Sequence, residues 1–113
     1  MSPNEYQRLA KRTLLESPET MPTPQEVMIL WNTLGIAGEA GELTDYIKKG
    51  ILHQHGVDRT HIKEELGDLL WYMAGLAGQY NIPLEDIMEF NVIKLLARYP
   101  SGFSTEASIH RST

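Results

Sequence analysis

Two pairs of acidic residues stand out by spacing. Glu39 and Glu42 are three apart in GIAGEAGELTDYIKK, and Glu65 and Asp68 are three apart in KEELGDLLWYM. On a helix, residues three apart are neighbours on one face. Asp45 extends the first row. Carboxylates gathered where water is scarce repel one another, and such a gathering persists if a multivalent cation neutralises it. The donor set is all oxygen, because the chain has no cysteine. Helical E-x-x-H is also absent, the nearest match being Asp58-x-x-His61. Hard oxygen donors select Mg2+ or Mn2+ over zinc or copper. Such an ion, keeping several waters, suits phosphate binding and water activation. The opposing reading is a solvated charged face. Pairs at the same spacing occur at Glu16/Glu19 and Asp86/Glu89, and with acids at 15 of 113 positions about two arise by chance. Glycine-rich flanks, an adjoining apolar stripe and arrival on consecutive helices set the first two pairs apart.

A basic face further along matches them. Asn91, Lys94 and Arg98 fall at i, i+3 and i+7, one line along a helix. Lysine offers a mobile point charge for phosphate, and arginine a planar bidentate fork. Cations near a helix C-terminus also favour the helix dipole without any ligand. Asn91 has no such reason to be there; an amide among Ile87, Met88, Phe90 and Val92 is expected to need a partner. Lys48 and Lys49 are weaker phosphate candidates. Trp31 and Tyr72 could stack on a nucleobase, although core packing is the commoner role. His53, His55 and His61 read as surface or loop residues, with substrate contact the lesser alternative. The common phosphate-binding loops and the G-x-S-x-G elbow are missing.

The elements that must position these residues read as helices. The first is expected over about Ser2 to Leu15, from Tyr6, Leu9, Ala10 and Leu14 at helical spacing. The second starts at a capping box, Thr23-Pro24-x-Glu26, and runs to about Leu52. The third runs from about Arg59, capped by Asp58, to Gln79, where Asn81-Ile82-Pro83 breaks it. The fourth covers about Leu84 to Tyr99 and stops before Pro100. The polar tail from about 101 to 113 reads as coil or a short extra turn. On helix two, Ile29, Ile36, Ala40, Leu43 and Ile47 form a bundle seam. On helix three, Ile62, Leu66, Leu69, Leu70, Met73 and Leu76 are expected on the core face, with Glu65 at its border. A second face of Gly67, Trp71, Ala74 and Gly78 suggests packing against another subunit.

A chain of 113 residues is expected to be one domain, long enough to bury a core without staples. Net charge is -5, which argues against broad binding to nucleic acid polymers or anionic membranes. The longest nearly apolar run, Leu69 to Gly78, is far short of the roughly 20 residues that span a bilayer. No apolar leader opens the sequence, so a cytoplasmic location is expected.

In this order, Glu39-x-x-Glu42, Glu65-x-x-Asp68 and Asn91-x-x-Lys94-Leu95-x-x-Arg98-Tyr99-Pro100-x-Gly102-Phe103 resemble the MazG-like nucleoside triphosphate pyrophosphohydrolases of the all-α NTP pyrophosphatase superfamily. The likeness runs from about Leu30 to Arg111 and is strongest to the compact single-domain type of phages and bacteria. It implies an all-α, four-helix bundle-like MazG fold in a single domain over 1–113, assembled as a dimer or tetramer. It also implies Mg2+-dependent hydrolysis, with Mn2+ as a substitute, between the α and β phosphates of nucleoside triphosphates. The expected substrates are dNTPs, and the products a nucleoside monophosphate and pyrophosphate. Glu39, Glu42, Glu65 and Asp68 are then the metal ligands, or one of them, Glu39 for instance, takes the proton from the attacking water rather than binding the metal directly. Asn91, Lys94 and Arg98 hold phosphates, and Tyr99 borders the substrate. The alternatives are a non-catalytic helical dimeric adaptor and a pyrophosphohydrolase for a specialised nucleotide, phosphoribosyl-ATP or an alarmone.

Overall fold

The computed structural model describes residues 1–14, 22–102 and 109. Among them are four α-helices: α1 (Pro3–Ala10), α2 (Pro24–Leu52), α3 (Arg59–Gln79) and α4 (Leu84–Arg98). No strand forms among the described residues; the one ladder contact is an isolated bridge between Pro100 and Gly102. Most of the tail expected to be coil lies outside the described residues, as does Leu15.

Helix starts follow local chemistry. The Thr23 hydroxyl accepts the Glu26 N–H at 3.2 Å, and the Glu26 carboxylate accepts the Thr23 N–H at 3.0 Å. This reciprocal box satisfies two N–H groups that a helix start leaves open. Ser2 and Glu5 build the same box on α1. That helix is shorter than expected: it tightens to a 3-10 turn over Lys11–Thr13, and Leu14 is extended at φ -78 and ψ 142. On α3, Asp58 accepts the Thr60 N–H at 3.0 Å. Asn81, at φ 56, turns the chain out of α3, and the Ile82 N–H returns to the Ala77 carbonyl at 2.9 Å. α4 has no side-chain cap, but Glu85 and Asp86 in its first turn suit the dipole.

The closest packing joins α2 and α3, which run antiparallel. Their register is read from facing pairs. Asn32 meets Gly75, Gly35 meets Tyr72, Tyr46 stacks on His61, and Gly50 meets Val57. At Gly35 a Cβ would run into the Tyr72 ring, so only glycine allows the helices to approach this closely. The half-buried or buried residues of α2 include Ile29, Asn32, Ile36, Glu39, Leu43, Tyr46 and Gly50, alternating by threes and fours. Those of α3 include Ile62, Glu65, Leu69, Tyr72, Leu76 and Gln79 in the same rhythm. This is the stripe of a paired-helix seam. The expected seam of α2 is thus observed, while that of α3 is turned. Leu66, Leu70 and Met73, expected in the core, are 40–49% exposed, and Glu65 and Tyr72 take inner positions.

The described residues do not form the self-contained core expected for this length. Among the described residues no large side chain is fully buried. The radius of gyration is 20.4 Å, against roughly 13 Å for a compact chain of this length. Trp71, Phe90, Ile93 and Leu96 are all more than half exposed. The chain carries apolar faces on α3 and α4 that its own helices leave uncovered.

Candidate metal centre

The α2–α3 register dictates where the acids fall. Four residues on from Gly35 is Glu39, and four back from Tyr72 is Asp68. Four back from Tyr46 is Glu42, and four on from His61 is Glu65. The four acids expected at the site therefore occupy neighbouring levels of one helix pair. The tightest group is Glu39, Glu42 and Glu65, each offering a carboxylate oxygen such that all lie within 4.8 Å of one another. Asp68 is exposed and outside that group, but its charge acts on Glu39.

The electrostatics are those of a site short of positive charge. The Glu39 carboxyl is raised from 4.5 to about 7. Burial is the largest cause, followed by its side-chain interaction with Glu65 and the charges of Glu42, Asp68 and Glu65. Oε2 of Glu39 and Oε2 of Glu65 are buried without a hydrogen-bond donor. Buried oxygens of this kind ordinarily have partners. Anionic oxygens turned together with no donor between them fit a hard divalent cation, which Mg2+ or Mn2+ supplies and a soft metal does not.

The neighbouring cations serve elsewhere. Asp45 pairs with Lys49 at 2.8 Å and Lys48 at 3.5 Å, which holds its carboxyl below the usual range. Asp45 thus extends the acidic row in sequence but is neutralised within its own helix. Tyr72 packs on the backbone of α2 at Gly35 and takes a core role; Trp31 is 59% exposed.

On α4, Lys94, Arg98 and Tyr99 are half-buried and Asn91 is exposed. The structure does not bring Asn91 or Lys94 into a hydrogen bond or ion pair with the acids. Among the described residues no partner for the Asn91 amide is found; water can serve it on an open helix.

Two residues join the site that the sequence reading had placed elsewhere or passed over. His61, expected at the surface, has its Nε2 3.4 Å from Oε1 of Glu65. Tyr46 stacks on the His61 ring with centroids 3.9 Å apart. The signal for His61 was its position four residues before Glu65; Tyr46 becomes visible only through the register. Asn32 is also buried, with its amide donating to the Met28 carbonyl at 2.9 Å.

Comparisons with known proteins identify the family. The chain is 38% identical over 74 residues to the Gene 37 protein of Mycobacterium phage L5, covering 62% of this chain and 65% of that relative, just under two-thirds of its length. No solved structure matches. The model of the MazG nucleotide pyrophosphohydrolase domain matches residues 29–103, a stretch holding all four acids and the α4 basic face. The chain belongs to the MazG nucleotide pyrophosphohydrolase domain family.

Proposed function

We propose that this chain is a divalent-metal-dependent nucleoside triphosphate pyrophosphohydrolase acting on dNTPs in the cytoplasm. It cuts between the α and β phosphates and releases a nucleoside monophosphate and pyrophosphate. The observation that carries the reading is the convergence of Glu39, Glu42 and Glu65 within 4.8 Å, with buried oxygens lacking donors, inside a MazG domain.

Glu39, Glu42, Glu65 and Asp68 would hold Mg2+, with Mn2+ as a substitute. When bound, the ion offsets phosphate charge and makes water more acidic. One of the four, Glu39 for instance, would take the proton from the attacking water rather than bind the ion directly. The new bond joins the water oxygen to phosphorus, the α–β anhydride bond breaks, and the water proton passes to the carboxylate. Lys94 and Arg98 supply positive charge along the polyphosphate, Asn91 donates its amide, and Tyr99 borders the substrate. Phosphoryl chemistry of this kind depends on positioning and charge neutralisation and needs no covalent nucleophile.

The working unit is a dimer or tetramer. The uncovered apolar faces of α3 and α4, and a groove of about 460 Å³ lined by Leu43, Ile47, Ile51 and Leu52, support this assembly.

The test is incubation with each NTP and dNTP, with and without Mg2+. Pyrophosphate should appear only with the metal and vanish in Glu39→Gln and Asp68→Asn proteins. Absence of turnover of any nucleotide at high enzyme concentration would overturn the reading.

A further inference from the structure

Glu65 occupies an inner position of the α2–α3 seam, where its side chain is only 14% exposed. Its two oxygens have different surroundings. Oε1 faces Nε2 of His61 at 3.4 Å, and Oε2 is buried with no donor. The His61 ring is itself constrained. It lies nearly parallel to Tyr46, with an interplanar angle of 27° and a centroid separation of 3.9 Å. Tyr46 is fixed at its far end, since its hydroxyl accepts the Asp58 N–H at 2.7 Å. Asp58 in turn caps α3 through the Thr60 N–H. A continuous set of contacts thus runs from the start of α3, through a ring of α2, to one oxygen of Glu65.

We propose that His61 is a positioning residue for Glu65: its Nε2–H holds Oε1, and Tyr46 holds the imidazole, so that the carboxylate is fixed with its buried Oε2 left free for a divalent cation shared with Glu39 and Glu42. The role rests on the metal-centre reading above and goes beyond it by assigning a residue outside the acidic quartet.

A glutamate side chain has several rotatable bonds, and freezing it in one rotamer costs conformational entropy. A partner that fixes the carboxylate beforehand removes part of that cost from metal binding. Outer partners of metal ligands typically contribute about 10–100-fold to metal affinity. An isolated ion pair on a helix surface adds little to anything. Here the carboxylate is mostly buried, and the imidazole, though its side chain is 40% exposed, is stacked on Tyr46, so the contact is more constrained than a surface ion pair.

The experiment measures Mn2+ binding by electron paramagnetic resonance on the full chain without nucleotide, alongside thermal melting. His61→Ala should weaken Mn2+ binding by about tenfold or more while the helical signal is kept. His61→Gln places an amide donor at the same reach and should restore most of the affinity. If His61→Ala loses the fold, His61→Leu, which keeps apolar bulk against Tyr46 but lacks the donor, should show the same weakening. Wild-type affinity in the Ala or Leu protein, or a Gln protein as weak as the Ala protein, overturns the role. Wild-type protein that binds no Mn2+ overturns the metal centre itself, and the role of His61 with it.

Discussion

Gly35 is where the α2–α3 pairing is most exposed to a single atom. An alanine there would drive its methyl into the ring of Tyr72. The ring is half-buried and pressed on helix backbone, so it cannot yield as a flexible side-chain tip would. Overpacking typically costs about 1–3 kcal/mol. The intrinsic preference of a helix for alanine over glycine returns about 1 kcal/mol. Gly35→Ala should therefore be destabilised by up to about 2 kcal/mol. Gly38, on the same helix, has nothing within 4 Å of a built Cβ. Gly38→Ala should keep the gain and none of the loss. The pair thus isolates the steric term with identical chemistry. Each kcal/mol moves the melting temperature of a small domain by about 4–8 °C. Thermal melting by circular dichroism should place Gly35→Ala below the wild type and Gly38→Ala above it. Tyr72→Ala in the Gly35→Ala background should recover part of the loss, since contacting residues are non-additive. A Gly35→Ala protein that melts with Gly38→Ala, or strict additivity with Tyr72→Ala, would refute the close approach and the register that places the acids.

Glu39→Gln should trade activity for stability. Burial and the neighbouring acids raise the folded Glu39 carboxyl from 4.5 to about 7, so between these values the native state binds the extra proton and stability falls as pH rises. In EDTA the variant should melt above the wild type at pH 8 and converge with it below pH 4.5; a pH-independent gap would contradict the cause assigned to the shift. Lys94→Ala should weaken nucleotide binding about tenfold or more by calorimetry, the scale of a lost charged hydrogen bond, while Mn2+ binding survives; unchanged nucleotide affinity removes Lys94 from the site. Light scattering at micromolar concentration should report at least twice the 12.8 kDa chain mass, and a monomer would contradict the assignment of the open apolar faces to assembly.

The sequence was most legible where a local rule decides the structure. Thr23-Pro24-x-Glu26 and Asp58 fixed the starts of α2 and α3, because capping depends on residues within one turn. The pairing of the acids was also readable, from i, i+3 spacing on consecutive helices. The inner face of α3 was not. Leu66, Leu70 and Met73 outweigh Glu65 and Tyr72 in hydrophobicity, yet the close approach at Gly35 and Gly75 selects which face meets α2. An apolar pattern identifies a surface to be covered without identifying what covers it, which is why a self-contained core was expected and open faces are observed. His61 escaped for a related reason. Its spacing to Glu65 is visible in the sequence, but the Tyr46 ring that holds it comes from a residue 15 positions away and depends on the register.

The central claim is that carboxylates from α2 and α3 jointly hold a divalent ion. The most direct measurement is the anomalous difference map of crystals grown with Mn2+. The account predicts a peak at coordination distance, about 2–2.5 Å, from carboxylate oxygens of Glu39, Glu42 and Glu65 together. Ordered Mn2+ bound only elsewhere, or acids without density at saturating Mn2+, would contradict it.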